Sequence, residues 1–416
     1  MMMKNKKNVP DIRFKGFSEE WTEQLLGDCA DIIGGGTPST SNREYWDGDI
    51  DWYSPAEIGE KVFVDGSKRK ITELGLKESS AKILPIGTVL FSSRAGIGST
   101  AILAKEGSTN QGFQSVIPQN DKLDTYFIFS RTRELKKYGE TNGAGSTFIE
   151  VSGKQMECMP IINPTIDEQK AIGSYFQNVD RLINASQTKL DKLKNIKKAC
   201  LEKMFPKNDS TTPELRFKGF TDGWLPETLG ELSEPLEYGL NAPATTYDGV
   251  NKYIRITDID DDMHILNCNG LTSPNINLSL SARYQLKVGD VLFARTGASV
   301  GKSYHYKGTD GLVYYAGFLI RARIKSNVNS EFVFQNTLTN KYDKFVKITS
   351  QRSGQPGINA QEYSSWRLSL PKSLDEQRAI GCFFKNIDDL IIKTEQQINK
   401  LKNIKRACLD KMFVNE

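Results

Sequence analysis

Residues 167–205 read DEQKAIGSYFQNVDRLINASQTKLDKLKNIKKACLEKMF, and residues 375–413 read DEQRAIGCFFKNIDDLIIKTEQQINKLKNIKRACLDKMF. Of these 39 aligned positions 23 are identical, far beyond chance. Apolar residues recur in alternating steps of four and three: Ile172, Phe176, Val179 and Ile183, then Leu190, Leu193, Cys200 and Met204. The second copy repeats them as Ile380, Phe384, Ile387, Ile391, Ile398, Leu401, Cys408 and Met412. That period predicts a coiled-coil-like stripe on each of two long helices, interrupted by Ser186 and Thr394 at one step and by Lys197 and Lys405 at a later one. Each helix would be about 58 Å long at 1.5 Å per residue. Asp167 and Asp375 are expected as N-caps or first-turn acids.

The repeat extends outward. PDIRFKGFSEEWTEQLLGD at 10–28 returns as PELRFKGFTDGWLPETLGE at 213–231, with nine identities in nineteen positions. Between these anchors the halves diverge, except for one island: Gly87-Thr-Val-Leu-Phe-Ser-Ser-Arg94 against Gly289-Asp-Val-Leu-Phe-Ala-Arg295, in which Arg94 is matched to Arg295. A period of about two hundred residues is too long for a solenoid and implies a duplicated domain with pseudo-twofold symmetry. The boundaries follow: 1–165 for the lead-in and first variable domain, 166–206 for the first helix, 207–213 for a polar linker, 214–373 for the second variable domain and 374–416 for the second helix. The variable domains are strand-rich, with candidates at Val62–Val64, Val89–Phe91, Tyr253–Ile256, Val291–Phe293 and Leu319–Ile324. The expected fold class is α+β: two pseudo-twofold-related domains of mixed strands and short helices, joined by two long antiparallel helices.

Bulk properties bound the function. The chain has 416 residues, 38% hydrophobic and 25% charged, with a formal net charge of +4. That length calls for two or three domains. No apolar run reaches membrane-spanning length, and the basic stretch MMMKNKKNVP has no apolar segment behind it, so a cytoplasmic location with no membrane partner is expected. Six scattered cysteines form no CxxC pair, and the only histidines are His264 and His305, which argues against zinc and for reduced, buried thiols. The basic clusters 68–70, 131–137 and 189–207 read as solvated faces taken one at a time.

Catalytic patterns fail one by one. Phe293-Ala-Arg-Thr-Gly-Ala-Ser-Val-Gly-Lys-Ser303 approaches a phosphate loop, but the first glycine of G-x-x-x-x-G-K-[ST] would fall on Thr296, and the first half has Ser99 where the lysine belongs. A tight strand connection is the better reading. Asn163-Pro-Thr-Ile166 lacks the second proline and the aromatic of an adenine methyltransferase tetrad. Glu168-Gln-Lys170 has nuclease-like spacing, yet the second copy ends in Arg378, and the acids are expected to cap helices. Asp258–Asp262 reads as a solvated turn rather than a cation site. The stretch from Gly34 to Tyr53 mixes turn residues with aromatics; burial explains Trp46 and Trp52 as well as ligand contact would, and Thr37, Ser39 and Arg43 are its polar contact candidates. Its counterpart, Tyr238–Tyr247 running into Arg255, is quite different, which suggests two heads on like scaffolds that read different things.

At this point the chain resembles the specificity subunits of type I restriction–modification systems over essentially its whole length. The resemblance rests on Gly-Gly-Thr-Pro-Ser…Tyr-Trp-Asp-Gly-Asp-Ile…Trp at 35–52, on Gly-x-Val-Leu-Phe with its arginine and glycines, on Asn110-Gln-Gly-Phe, on Glu-Gln-x-Ala-Ile at each long helix, and above all on the twofold order of variable domain and helix. It implies target-recognition domains that each read half of a split, asymmetric site on double-stranded DNA through the major groove, with the helices as a ruler for the gap. It implies two methyltransferase subunits acting with S-adenosylmethionine on adenine N6, and restriction/translocase subunits using ATP and Mg2+, while this chain binds no cofactor or metal and carries no active site. The DNA-contact candidates are Thr37, Ser39, Arg43, Tyr45, Arg94, Gly96, Gly98 and Gln111 in the first domain, and Asn241, Tyr247, Arg255, Arg295, Thr296, Gly297 and Lys302 in the second. A stand-alone DNA-binding protein and a nucleotide-dependent enzyme built on the 293–303 turn remain as alternatives.

Overall fold

The computed structural model describes residues 8–94, 96–145, 149–207 and 210–414, so the basic residues 1–7 and two residues of the polar linker, Asn208 and Asp209, lie outside the described residues. The chain forms two compact units. Unit 1 comprises residues 1–186 and 397–416, and unit 2 comprises 187–396. The division therefore falls inside both long helices, Ile166–Lys203 and Leu374–Lys411, each of 38 residues.

Unit 1 is organised by a five-stranded sheet in the order Ala30–Gly34, Gln114–Pro118, Val89–Phe91, Thr100–Leu103 and Phe63–Val64. Its pairings are antiparallel except the last, between Phe63–Val64 and Thr100–Leu103, which is parallel. The run Val89-Leu90-Phe91 is wholly buried because alternate side chains face opposite sides of a covered sheet. Val89 and Phe91 join the cluster around Trp21, Phe127 and Phe176, while Leu90 joins Tyr53, Leu103 and Phe113. A second sheet has Trp46–Tyr53 at its centre, with Arg69–Ile71 antiparallel on one side and Ser108–Thr109 parallel on the other. Trp46 and Trp52 are 8% and 5% exposed and meet edge to face at 5.1 Å, so burial accounts for both. Arg69 covers Trp46 at 3.6 Å from the ring centre, so this basic cluster does more than face solvent.

Unit 2 repeats the plan. A four-stranded antiparallel sheet runs Glu237–Tyr238, Leu319–Arg323, Asp290–Ala294 and Ser303–His305. Val291 and Phe293 face one cluster with Tyr342 and Trp366, and Leu292 and Ala294 face another with Tyr304 and Tyr315. Lys252–Ile254 pairs in parallel with Val313–Tyr315, as Trp52 and Tyr53 pair with Ser108 and Thr109 in unit 1. In each unit the lead-in strand closes on the strand before the long helix: Thr22–Leu25 on Pro160–Asn163, and Leu225–Thr228 on Arg367–Leu370.

The repeated motifs explain one another. Glu168 and Glu376 lie in the first helical turns but do not cap them. Each carboxylate is buried and accepts two charge-assisted bonds from the arginine of an RFKGF segment: Glu168 from Arg13 at 2.7 and 2.6 Å, and Glu376 from Arg216 at 2.6 and 2.8 Å. The next residue docks the domain. Gln169 accepts from the Asp124 amide at 3.1 Å, and Gln377 from the Asn329 amide at 2.9 Å. Asp124 and Asn329 in turn N-cap a short helix of their own domain. Gly173 and Gly381 make room for this approach, since a Cβ there would stand 2.2 and 2.6 Å from the capping side-chain oxygens. The string Glu-Gln-x-Ala-Ile-Gly is thus a domain clamp.

Within each unit the helix segments pair antiparallel. In unit 1 the Tyr175 hydroxyl lies 3.3 Å from Cys408 Sγ, Lys405 Nζ lies 2.6 and 2.7 Å from the Asp180 oxygens, and Phe176 stacks on Phe413. In unit 2 Lys197 pairs with Asp388 at 2.7 Å, Lys194 with Glu395 at 2.8 Å, and Phe205 stacks on Phe384. The lysines that interrupt the apolar stripe therefore answer aspartates on the facing segment. Each aspartate also accepts a bond from its domain, Asp180 from the Tyr126 hydroxyl and Asp388 from the Gln335 amide. The cysteines depart from expectation: Cys29 is buried, but Cys158, Cys268 and Cys382 are exposed, because they sit on helix ends, loops and outward helix faces.

Candidate nucleic-acid interface

One end of the central sheet gathers three loops in each unit. In unit 1 they follow Gly34, follow Phe91 and precede Gln114. The first and third loops touch through backbone: Gly36 N donates to Thr109 O at 2.9 Å, and a Cβ on Gly35 would stand 2.0 Å from Asn110 O. Only glycine fits there. Thr37 is then placed to donate its hydroxyl to Gln111 Oε1. Ser93 N donates to Gly112 O at 2.8 Å, and the Arg94 guanidinium passes close to Gly112, near Glu150 at 4.0 Å. Thr37, Gln111 and Arg94 thus come together. Gly96 is exposed with φ +102°, in the left-handed region that suits glycine, whereas Gly98 is buried with Lys136 against it. Ser39 bonds to Ser41, and Arg43 and Tyr45 form a one-turn 3-10 helix beside the Trp46 strand. No contact joins those three to Arg94 among the described residues.

Unit 2 has the same backbone frame. Leu240 N donates to Tyr315 O at 2.8 Å, and a Cβ on Gly239 would stand 2.2 Å from Ala316 O. Gly239 therefore corresponds to Gly35, Tyr238 to Gly34 and Asn241 to Thr37. Asn241 is exposed and lies across Gly317, as Thr37 lies across Gln111. The sheet register also corrects one sequence match. Ser93 N donates to Gly112 O, and Arg295 N donates to Phe318 O at 3.0 Å, so Arg295 takes the place of Ser93, not of Arg94. Turns of different length followed the two strands and misaligned the arginines.

The 293–303 stretch is a hairpin turn. It joins Asp290–Ala294 to the antiparallel strand Ser303–His305, with Gly297 and Gly301 at φ +78° and +88°. A phosphate loop would lead into a helix. Lys302 is turned away from Arg295: its ammonium pairs with Asp261 and approaches Ile259 O at 3.1 Å. Arg255 is also engaged, in a bidentate pair with Asp258 at 2.8 Å to each oxygen. Three aspartates of 258–262 are thus used, Asp258 by Arg255, Asp261 by Lys302 and Asp260 by the turn amides it accepts from. Arg295 is placed differently. Its guanidinium stands 5.0 Å from the Tyr238 ring centre and 5.9 Å from that of Phe318. Thr296 and Gly297 continue the rim, held by Pro356 O, while Tyr247 is half-buried on the loop after Ala244–Thr246.

A family model described as "Type I restriction modification DNA specificity domain" matches residues 18–195 and 240–403, so it takes in both units and most of the chain. The chain belongs to the type I restriction–modification DNA specificity family. A relative in Methanocaldococcus jannaschii, the type I restriction enzyme MjaIX specificity subunit, is 33% identical over 418 residues, covering 96% of this chain and 94% of that one. The EcoR124I/EcoR124II specificity subunit of Escherichia coli is 30% identical over 182 residues, 42% of this chain and 44% of that one. Among solved structures, the S subunit of a type I restriction–modification system from M. genitalium superposes with a TM-score of 0.68 at 14% identity, covering 98% of this chain and all of that one, which shows the shared fold.

Within this specificity-family fold, sequence reasoning missed Tyr238, Phe318 and Arg352 as site candidates. Arg352 reaches the rim from the segment after the helix Asn340–Thr349, and its Nη2 donates to both Glu362 oxygens at 2.6 and 2.7 Å. Its one sequence signal was the glycine-rich turn composition Ser353-Gly-Gln-Pro-Gly357. Phe318 had none, since an exposed and a buried phenylalanine read alike in sequence.

Proposed function

We propose that this chain is the DNA-reading subunit of a type I restriction–modification complex, in which each unit presents the loop end of its central sheet to one half of a split DNA site. The supporting observation is that one backbone frame, Gly35 against 109–110 and Gly239 against 315–316, carries unlike side chains in the two units. A fixed frame with Thr37, Gln111 and Arg94 in one copy and Tyr238, Asn241, Arg295 and Phe318 in the other suits recognition of two different sequences. Arginine presents paired donors that match the guanine edge in the major groove, glutamine presents a donor and an acceptor that match the adenine edge, and side chains at the rim hold phosphates. The paired helices set the gap between half-sites.

The chain catalyses nothing itself. Two methyltransferase subunits supply S-adenosylmethionine-dependent methylation of adenine, and restriction/translocase subunits use ATP and Mg2+. Among the described residues no helix is long and apolar enough to cross a membrane, and the complex works in the cytoplasm.

The test is a map of N6-methyladenine in a host without its own adenine methylation, expressing the chain with its methyltransferase partner and each alone. One split motif with a fixed gap, present only with both proteins, is the expected result. Association of the two soluble proteins without methylation would refute the assignment and favour a stand-alone DNA binder.

A further inference from the structure

We infer that the second unit reads a guanine beside a thymine, with Arg295 on the guanine edge and Phe318 on the thymine methyl group. This rests on the DNA-reading function proposed above and adds a specific pair of contacts to it. In unit 2, Arg255, Arg321, Arg323 and Arg352 all pair with carboxylates. Arg295 pairs with none among the described residues. It lies over Tyr238 and Phe318 instead, in a cleft of about 260 Å³ at the sheet end. Stacking occupies the faces of a guanidinium and leaves its in-plane N–H groups free, which is the edge a guanine O6 and N7 accept from.

The arrangement is fixed before any ligand arrives. Arg295 N donates to Phe318 O at 3.0 Å, and Arg295 O accepts from Ile358 N at 2.9 Å, so its backbone is held on both sides. Tyr238 pairs with Ile320 through its strand, and its hydroxyl accepts from the Ala360 amide at 3.1 Å, so the ring is anchored at both ends. Tyr238 is therefore a positioning residue. Phe318 has no such second anchor and is 60% exposed, so its ring is accessible to a ligand beside Arg295. An apolar ring beside an uncommitted guanidinium matches the one apolar group in the major groove, the C5 methyl of thymine. Unit 1 has Gly34, Ser93 and Gly112 at the three equivalent positions, so this pair of contacts belongs to one unit alone.

The experiment measures binding of the chain, complexed with its methyltransferase partner, to its mapped site. In the second half-site each thymine is replaced in turn by uracil, and each guanine by 7-deazaguanine. Wild-type complex should lose about fourfold at one uracil, the equivalent of one methyl group, and about tenfold at a neighbouring 7-deazaguanine, the loss of a bond to a charged donor. Phe318→Gly should abolish the uracil effect, Phe318→Leu should keep most of it, and Arg295→Ala should abolish the 7-deazaguanine effect. Unchanged response to first half-site substitutions shows that each variant is folded. A second half-site without thymine beside guanine, or base effects that persist in the variants, overturns this inference alone. A uniform loss on all sequences also overturns it, by making these phosphate contacts. Absence of any split motif removes the DNA-reading function with it.

Discussion

Replacing Arg13 by methionine tests whether the RFKGF segment and the helix start form a clamp. The Glu168 carboxylate has no exposed surface and the Arg13 side chain is 12% exposed, so the variant strands a buried charge. Breaking such a pair from one side costs about 3–5 kcal/mol. Some water reaches Arg13, which favours the lower end, about 3 kcal/mol. Unit 1 has roughly 200 residues, and at about 2–4 °C per kcal/mol that lowers its melting temperature by about 6–12 °C. Arg216→Met should cost less, about 2 kcal/mol by the same reasoning, because Glu376 keeps a bond from Trp224 Nε1 at 3.3 Å. Trp21, at the equivalent position, gives Glu168 no such bond. The decisive variant is the double replacement Arg13→Met with Glu168→Leu. It removes the stranded charge and should return to within about 1 kcal/mol of wild type. Hydrogen–deuterium exchange of peptides covering 8–30 and 160–180, together with thermal unfolding, reports unit 1 separately. A double variant no more stable than Arg13→Met would refute the clamp.

Other outcomes follow from the same geometry. Gly35→Ala and Gly239→Ala each force a Cβ against backbone carbonyls and should cost about 1–3 kcal/mol, with loss of one half-site only, visible in methylation maps of each variant. Burial, with Lys197 and Lys302 nearby, lowers the His264 pKa below its usual value of 6.5. A histidine with a depressed folded pKa binds fewer protons than the unfolded chain, so unit 2 should lose stability as pH falls through about 6.5. His264→Asn, which tolerates the φ of +55° there, should flatten that dependence in denaturant titrations at pH 7 and pH 5.5. Adding one helical turn to both long helices should change the gap in the methylated motif and leave both half-sites intact; altered half-sites would refute the ruler. Residues 1–207 expressed alone should self-associate, because Lys197 of one copy can replace Lys405 opposite Asp180 of another; a monomer by light scattering counts against that.

The long helices were legible because a stripe with four-three spacing and twenty-three repeated residues leaves little choice of structure. The lysine interruptions were visible too, but their partners were not: Asp180 and Lys405 are 225 positions apart. Distance in sequence hid the clamp for the same reason. Glu168 sits where a capping acid would, and nothing local says that Arg13 will claim it. The Trp46–Tyr53 strand was obscured by its own Asp47, Gly48 and Asp49, residues that signal turns and that a bulge in the pairing accommodates. At the site, glycines and arginines were found by type, but engagement was not: Arg255 and Lys302 are spent on aspartates, while Arg295 is not. Register, rather than motif, identified which positions of the two units correspond.

Met412 and Phe413 belong to the core of unit 1, beside Trp21 and Phe127. The ribosome makes those two residues after the whole of unit 2. Unit 2 is a single uninterrupted stretch and can complete itself as soon as residue 396 has emerged, whereas unit 1, begun earlier, waits for residues 397–416. Synthesis order and folding order are reversed, against the usual course in which the N-terminal domain finishes first. A message cut after codon 396 would then yield a protein damaged in unit 1, the earlier-made unit, and sound in unit 2.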